Sequence, residues 1–112
     1  ALRAEQEARK ETPRYDGRCR SVDGAESARR AAAGQPHVLR FKTPPGAVQF
    51  VDQIRGEVRF DNSEVDDWVL VRADGNPTYN FVCVCDDADM GITHVIRGEE
   101  HLVNTPKQIL LF

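Results

Sequence analysis

The sequence predicts a mixed α/β chain, in which an antiparallel β module gives way to the edge of an α/β layer. Three observations carry this expectation. Residues 37–61 alternate apolar and polar side chains through HVLRF, AVQFVDQI and EVRFD, the period of strands with one buried face. The Arg55-Gly56 step separates the second and third of these runs, as a hairpin turn requires. After Pro77 the pattern changes to a buried run, a short apolar segment and a second helical run, a succession that belongs to packed helices and strands.

In chain order, residues 1–11 are rich in Ala, Glu, Arg and Lys, which are strong helix formers, and Pro13 marks the end of that helix. RYDGRCR, 14–20, is a turn built on Asp16-Gly17. SVDGAESARRAAAG, 21–34, is small and polar, and is expected as a solvated helix or a mobile loop that nucleates no core. TPPG at 43–46 turns the chain into the hairpin. DDWVLVRADG, 66–75, supplies a strand through Trp68, Val69 and Leu70 that Asp74-Gly75 closes. TYNFVCVCDDADMG, 78–91, is apolar on several sides, so its period fits a buried helix and a strand alike until Gly91 ends it. THVIR, 93–97, is expected as a short buried strand. EEHLVNTPKQILLF, 99–112, is expected as a helix with acidic residues at its start, where the helix dipole favours them. The first residues begin within a helix pattern without a cap and the last stop in an apolar run, the expectation for a piece of a longer protein.

The 112 residues suffice for one modest domain, and the net charge of −3 creates no overall basic field. A nucleic-acid contact would therefore rest on a local patch. Arg14, Arg18, Arg20, Arg29 and Arg30 crowd the first third and, with Tyr15, suit a phosphate backbone as well as they suit a solvated surface. Three cysteines, an odd number, fit a reducing cytosol better than a disulfide scaffold. No apolar run approaches a membrane span and no secretory signal opens the chain, so a cytoplasmic protein is expected. Glycine-rich phosphate loops, the serine-hydrolase elbow and zinc-finger spacing are absent from the sequence.

Arg97 stands where an apolar segment meets a helix start, the usual ligand crevice of an open parallel sheet. Its planar, permanently charged fork suits a carboxylate or phosphate. Spacing alone favours an ion pair with Glu99, Glu100 or Asp87 over that role. Asp86, Asp87 and Asp89 with His94 invite a metal, but three carboxylates within four residues cannot face one point of a helix, and a solvated helix end is the better expectation. Cys83 and Cys85 would share a face in a strand and diverge in a helix, and both are expected as small buried hydrophobes. Cys19 sits in a basic RCR setting without a neighbouring histidine, which makes a nucleophile or metal ligand a weak reading.

Taken together, RYDGRCR, VQFVDQIRGEVRFDNSEVDD at 48–67, DGNPTYNF at 74–81 and DDADMGITHVIRGEEHLVNTPKQILL at 86–111 resemble bacterial-type glutamyl-tRNA synthetases, class I aminoacyl-tRNA synthetases, in collinear order. The resemblance implies a ligase that activates glutamate with ATP and Mg2+ and transfers it to the 3′ end of tRNA(Glu). Residues 1–76 would form the insertion of the catalytic domain that holds the tRNA acceptor arm, and residues 77–112 would begin the second half of the Rossmann-like catalytic domain. It implies a helix over 78–88, a strand over 93–97 and a helix thereafter. A cytoplasmic monomer is expected.

By position, Tyr79 and Arg97 match the family's tyrosine and arginine that line the glutamate pocket. Arg97 would neutralise a substrate carboxylate and the Tyr79 phenol would fix its orientation. Cys83 stands where some members carry an asparagine, and a thiol is the poorer hydrogen-bond partner. Glu100 and His101 fall near the ATP and the tRNA terminus, while Arg14, Tyr15 and Arg18, named from the basic first third rather than by position, are the expected tRNA contacts. Some members bind zinc through a Cys-x-His pair after YDGR. Here Arg20 and Ser21 follow Cys19, so no zinc is expected. The HIGH and KMSKS-type signatures that bind ATP in this class are absent from these residues, so the chain alone is expected to be inactive. Two other readings remain, the shortened paralogue that glutamylates a queuosine base in tRNA and a non-catalytic RNA-binding module.

Overall fold

Two separate antiparallel ribbons, rather than one sheet, organise the chain. A computed structural model describes residues 2–112; Ala1, the first residue of the expected N-terminal helix, lies outside them. Helix α1 (Leu2–Ala8) is followed by α2 (Gly24–Ala32), β1 (Leu39–Arg40), β2 (Ala47–Asp52), β3 (Gly56–Asp61), a 3-10 turn (Asn62–Glu64), β4 (Val69–Val71), α3 (Tyr79–Met90), a 3-10 helix (Glu99–Asn104) and α4 (Thr105–Leu111).

The expected hairpin is β2–β3, in register from Ala47 opposite Asp61 to Asp52 opposite Gly56. Its turn is built by the Asp52 carboxylate, which accepts from the Ile54 and Arg55 amides at 2.8 Å each. Gly56 then takes a positive φ of 78°, which an L side chain rarely adopts. Val48 is buried on one side, and the Phe50 and Phe60 rings stack with centroids 6.5 Å apart. The second ribbon pairs β1 with β4, and the Phe41 and Trp68 rings meet beside it at 4.5 Å. Thr78 fastens the start of α3 to this ribbon. Its amide donates to the Leu70 carbonyl at 2.8 Å and its hydroxyl to the Val69 carbonyl at 2.8 Å.

Residues 21–34, open between helix and loop in sequence, hold α2. Asp23 caps it by accepting from the Ala25 and Glu26 amides at 2.9 and 3.3 Å. Glu26 pairs with Arg29 and Arg30 one turn on, but no residue of the helix is buried. Residues 78–91 resolve as helix, and Gly91 ends it in the left-handed region at φ 65°. The two cysteines accordingly diverge. Cys83 is half-buried and Cys85 exposed, so neither is the core residue expected.

Two expectations fail here. Residues 93–97 form no strand, and both ribbons of the described residues are antiparallel. A strand exists only as part of a ladder, and nothing among the described residues pairs with this segment. Ile96 is 98% exposed and Val95 57%. The C-terminal helix is also broken. Pro106 has no amide hydrogen and its ring excludes the carbonyl four residues back, so a 3-10 helix runs up to it and α4 starts around it. What the fold shows is a mixture of helix and antiparallel strand.

The apolar interior is thin. Val48, Leu70 and Val84 are buried, with Pro106 fully enclosed between elements, and the buried polar set of Gln6, Thr43, Asn62, Asp67 and Gln108 is larger. The surface of 8311 Å² exceeds the roughly 6200 Å² expected for a compact chain of this mass. Several large apolar side chains are exposed, including Ile54, Met90 and Ile96. No helix of the described residues is long and apolar enough to cross a membrane.

Candidate functional site

The packing of α3 against α4 decides where Arg97 goes. The coil between α3 and the 3-10 helix carries it back over α4. There Nη1 donates to Gln108 Oε1 at 2.9 Å and Nη2 to Thr105 Oγ1 at 2.6 Å. The ion pair that spacing favoured is not made. Glu99 pairs instead with Arg55 at the hairpin turn, Glu100 lies 3.7 Å from His101 Nε2, and no carboxylate of the described residues bridges Arg97. The guanidinium is therefore held by an amide and a hydroxyl, both uncharged. No carboxylate of the described residues balances its charge, which leaves that part to a ligand.

Tyr79 opens α3 and Cys83 follows one helical turn later on the same face. The Cys83 thiol raises the Tyr79 phenol above its ordinary pKa, and Arg97, also close, opposes that shift more weakly. The His101 ring lies across from Tyr79 with centroids 6.5 Å apart and planes tilted by 40°. Four of the residues singled out from the sequence, Tyr79, Cys83, Arg97 and His101, thus meet at the joint of α3, the 3-10 helix and α4. Glu100 stands at its exposed edge.

The basic residues singled out in the first third lie apart from this joint, each paired with a carboxylate, Arg14 with Asp66, Arg18 with Asp16, Arg20 with Asp67, and Arg29 and Arg30 with Glu26. Arg14 reaches the Asp66 carboxylate at 2.7 Å and the Tyr15 amide donates to it at 3.3 Å. The Arg40 guanidinium lies 4.0 Å above the Tyr15 ring, whose hydroxyl accepts from the Cys19 amide at 2.8 Å. Arg18 pairs with Asp16 at 2.7 Å. These side chains hold one another in place, while Arg14 and Arg18 keep more than half of their side-chain surface exposed. Among the described residues no three metal-ligating groups converge, neither around Asp86, Asp87, Asp89 and His94 nor around Cys19.

Three residues of the site escaped the sequence reading. Gln108 and Thr105 hold Arg97, and Asn80 stands behind them, its Oδ1 accepting from Gln108 Nε2 at 3.0 Å. The available signal was a glutamine heading the apolar run QILL on the side facing α3, where a buried amide must find partners.

The family model for the catalytic domain of the class I tRNA synthetases (E and Q) matches residues 1–112, the whole chain. The chain belongs to this synthetase family. Among curated relatives, glutamate–tRNA ligase 2 of Halorhodospira halophila (strain DSM 244 / SL1) is 59% identical over 99% of the chain and 23% of that protein. The glutamate–tRNA ligase of Legionella pneumophila (strain Lens) is 55% identical over 100% of the chain and 23% of that protein. A solved glutamate tRNA ligase from Elizabethkingia meningosepticum CCUG26117, in complex with its amino acid, superposes with a TM-score of 0.86 at 40% identity, over 98% of this chain and 24% of that one. The chain thus spans about a quarter of the length of the synthetases it matches. The joint at Arg97 lies within the part matched to the synthetase catalytic domain.

Proposed function

We propose that this chain is part of a glutamate–tRNA ligase that activates L-glutamate with ATP and transfers it to the 3′ end of tRNA(Glu), and that Arg97 and Tyr79 hold the glutamate. The observation that carries the reading is the Arg97 guanidinium, fixed by two neutral acceptors beside the Tyr79 phenol and free of any carboxylate of the described residues. A substrate carboxylate supplies the missing counter-charge. The phenol orients it, and the Cys83 thiol contributes the weaker contact.

In this reading residues 1–76 form the acceptor-arm insertion and residues 77–112 begin the second half of the Rossmann-like domain. Arg14, Tyr15 and Arg18 contribute to the tRNA surface, with Glu100 and His101 toward the ATP and the tRNA terminus. The whole protein is a cytoplasmic monomer that binds no zinc at Cys19.

Catalysis in such an enzyme is positioning. The glutamate carboxylate attacks the α-phosphorus of ATP in line and pyrophosphate leaves; the terminal ribose hydroxyl of the tRNA then attacks the acyl carbon and AMP leaves. The residues present supply the amino-acid side of this site. They do not fit the ATP·Mg2+ side, because the HIGH and KMSKS-type signatures are absent from the sequence and no cluster of carboxylates converges among the described residues. No step of ATP binding is assigned to them, and the chain alone is inactive.

The test is glutamate-dependent pyrophosphate exchange by the full-length protein. Arg97→Ala raises the KM for glutamate by roughly two orders of magnitude, the scale for removing the charged partner of a bound carboxylate. An unchanged KM would overturn the reading.

A further inference from the structure

Arg97 can only donate hydrogen bonds, and this fixes the direction of every amide behind it. Gln108 must turn its Oε1 to Arg97, so its Nε2 faces Asn80 and donates to Asn80 Oδ1 at 3.0 Å. The Asn80 Nδ2 is thereby left to face Asn104 Oδ1 at 3.5 Å. The result is a polar relay of single orientation that ties α3 to the 3-10 helix and α4, with Gln108, 8% exposed, at its centre. Such a network, fully satisfied, specifies one arrangement rather than several.

The chemical choice at position 108 matters as much as the geometry. A carboxylate there would grip Arg97 more tightly and cancel its charge. An aliphatic side chain would leave Nη1 without a partner. Glutamine meets both demands, holding the fork through an uncharged oxygen while its other end is anchored to the neighbouring helix. Thr105 Oγ1 does the same for Nη2 at 2.6 Å.

We infer that Gln108, with Thr105, is a positioning residue that holds the Arg97 guanidinium beside Tyr79 with its charge uncompensated, and so sets the affinity of the site for a carboxylate ligand. The inference rests on the proposed role of Arg97 in binding glutamate.

The test compares Gln108→Glu, Thr105→Val and Arg97→Ala in the full-length protein, by the KM values for glutamate and ATP in pyrophosphate exchange and by thermal melting. Gln108→Glu preserves shape and strengthens the grip on Arg97 while losing the N–H that Gln108 donates to Asn80, so the two effects oppose each other and the melting temperature moves little. The KM for glutamate rises about tenfold or more with the KM for ATP unmoved. A purely structural role predicts otherwise, with unchanged KM values or with both KM values rising as the melting temperature falls, and either result overturns the inference. Should Gln108→Glu fail to fold, Thr105→Val decides. It removes one acceptor at the start of α4, and the inference requires the KM for glutamate to rise a few-fold while that for ATP stays put; an unchanged KM for glutamate overturns it. If Arg97→Ala itself leaves the KM for glutamate unaltered, the glutamate pocket is wrong. If Arg97→Ala raises it and neither other variant does, only the positioning role is wrong.

Discussion

The Arg20 guanidinium pairs with the Asp67 carboxylate across 47 residues, joining the segment after α1 to the entrance of β4. Asp67 is buried and also accepts from the Thr43 amide at 2.9 Å, while Arg20 Nη2 donates to the Thr43 carbonyl at 2.8 Å and Arg40 Nη1 to the Asp67 carbonyl at 2.7 Å. In a chain with so few buried apolar side chains, this polar knot fixes the β1–β4 ribbon against the N-terminal segment.

A pH dependence follows from it. Burial pushes the Asp67 carboxyl up, but the Arg20 guanidinium and the Thr43 amide together outweigh burial and hold its pKa below the ordinary value. A group depressed on folding stabilises above its unfolded pKa, about 3.9 for Asp, and loses that contribution as pH falls through the folded value. Asp67→Asn therefore costs about 1–3 kcal/mol near neutrality. It also makes the fall of the melting temperature on acidification below about pH 4 shallower. Melting curves of both proteins across that range check it, and parallel curves would contradict it.

The Tyr79 phenol offers a second titration. Since the Cys83 thiol is the main cause of its raised pKa and Arg97 opposes it, Cys83→Ala moves the phenol down toward its ordinary value. NMR of ring-labelled tyrosine across the alkaline range reads this shift. No movement would mean that the thiol and the phenol do not interact.

Gly91 ends α3 at φ 65°, with its amide donating to the Ala88 and Asp87 carbonyls. Its place is open, with no atom near enough to obstruct an added Cβ, so Gly91→Ala pays only in backbone conformation, by about 1 kcal/mol. The expected result is a small drop in melting temperature with the KM for glutamate unchanged, since Tyr79 and Cys83 lie at the other end of the helix.

Purified full-length protein is expected to carry no stoichiometric zinc at Cys19, which is exposed and followed by Arg20 and Ser21. Elemental analysis after Cys19→Ser checks this directly, because any zinc present in the parent and lost in the variant would place a ligand there.

Much of this was legible in the sequence where the cause is local. Alternation and the Arg55-Gly56 step define the hairpin and Gly91 stops α3, whereas the Asp52 carboxylate in the turn and the Asp23 cap of α2 emerged only in the structure. What else stayed hidden depends on segments meeting in space. Val95 and Ile96 carry the composition of a buried strand, but composition does not name the partner that a ladder needs. Glu99 was near enough in sequence to pair with Arg97, yet the hairpin brings Arg55 to it. Arg97 in turn finds Gln108, eleven residues on, only because Pro106 restarts the helix and turns that face toward α3.

Calorimetric titration of L-glutamate into the full-length protein, with and without Arg97→Ala, tests the central claim most directly. Saturable binding in the parent, lost or weakened by roughly two orders of magnitude in a variant that melts at the same temperature, is the predicted result. Equal affinity in the two proteins would contradict it.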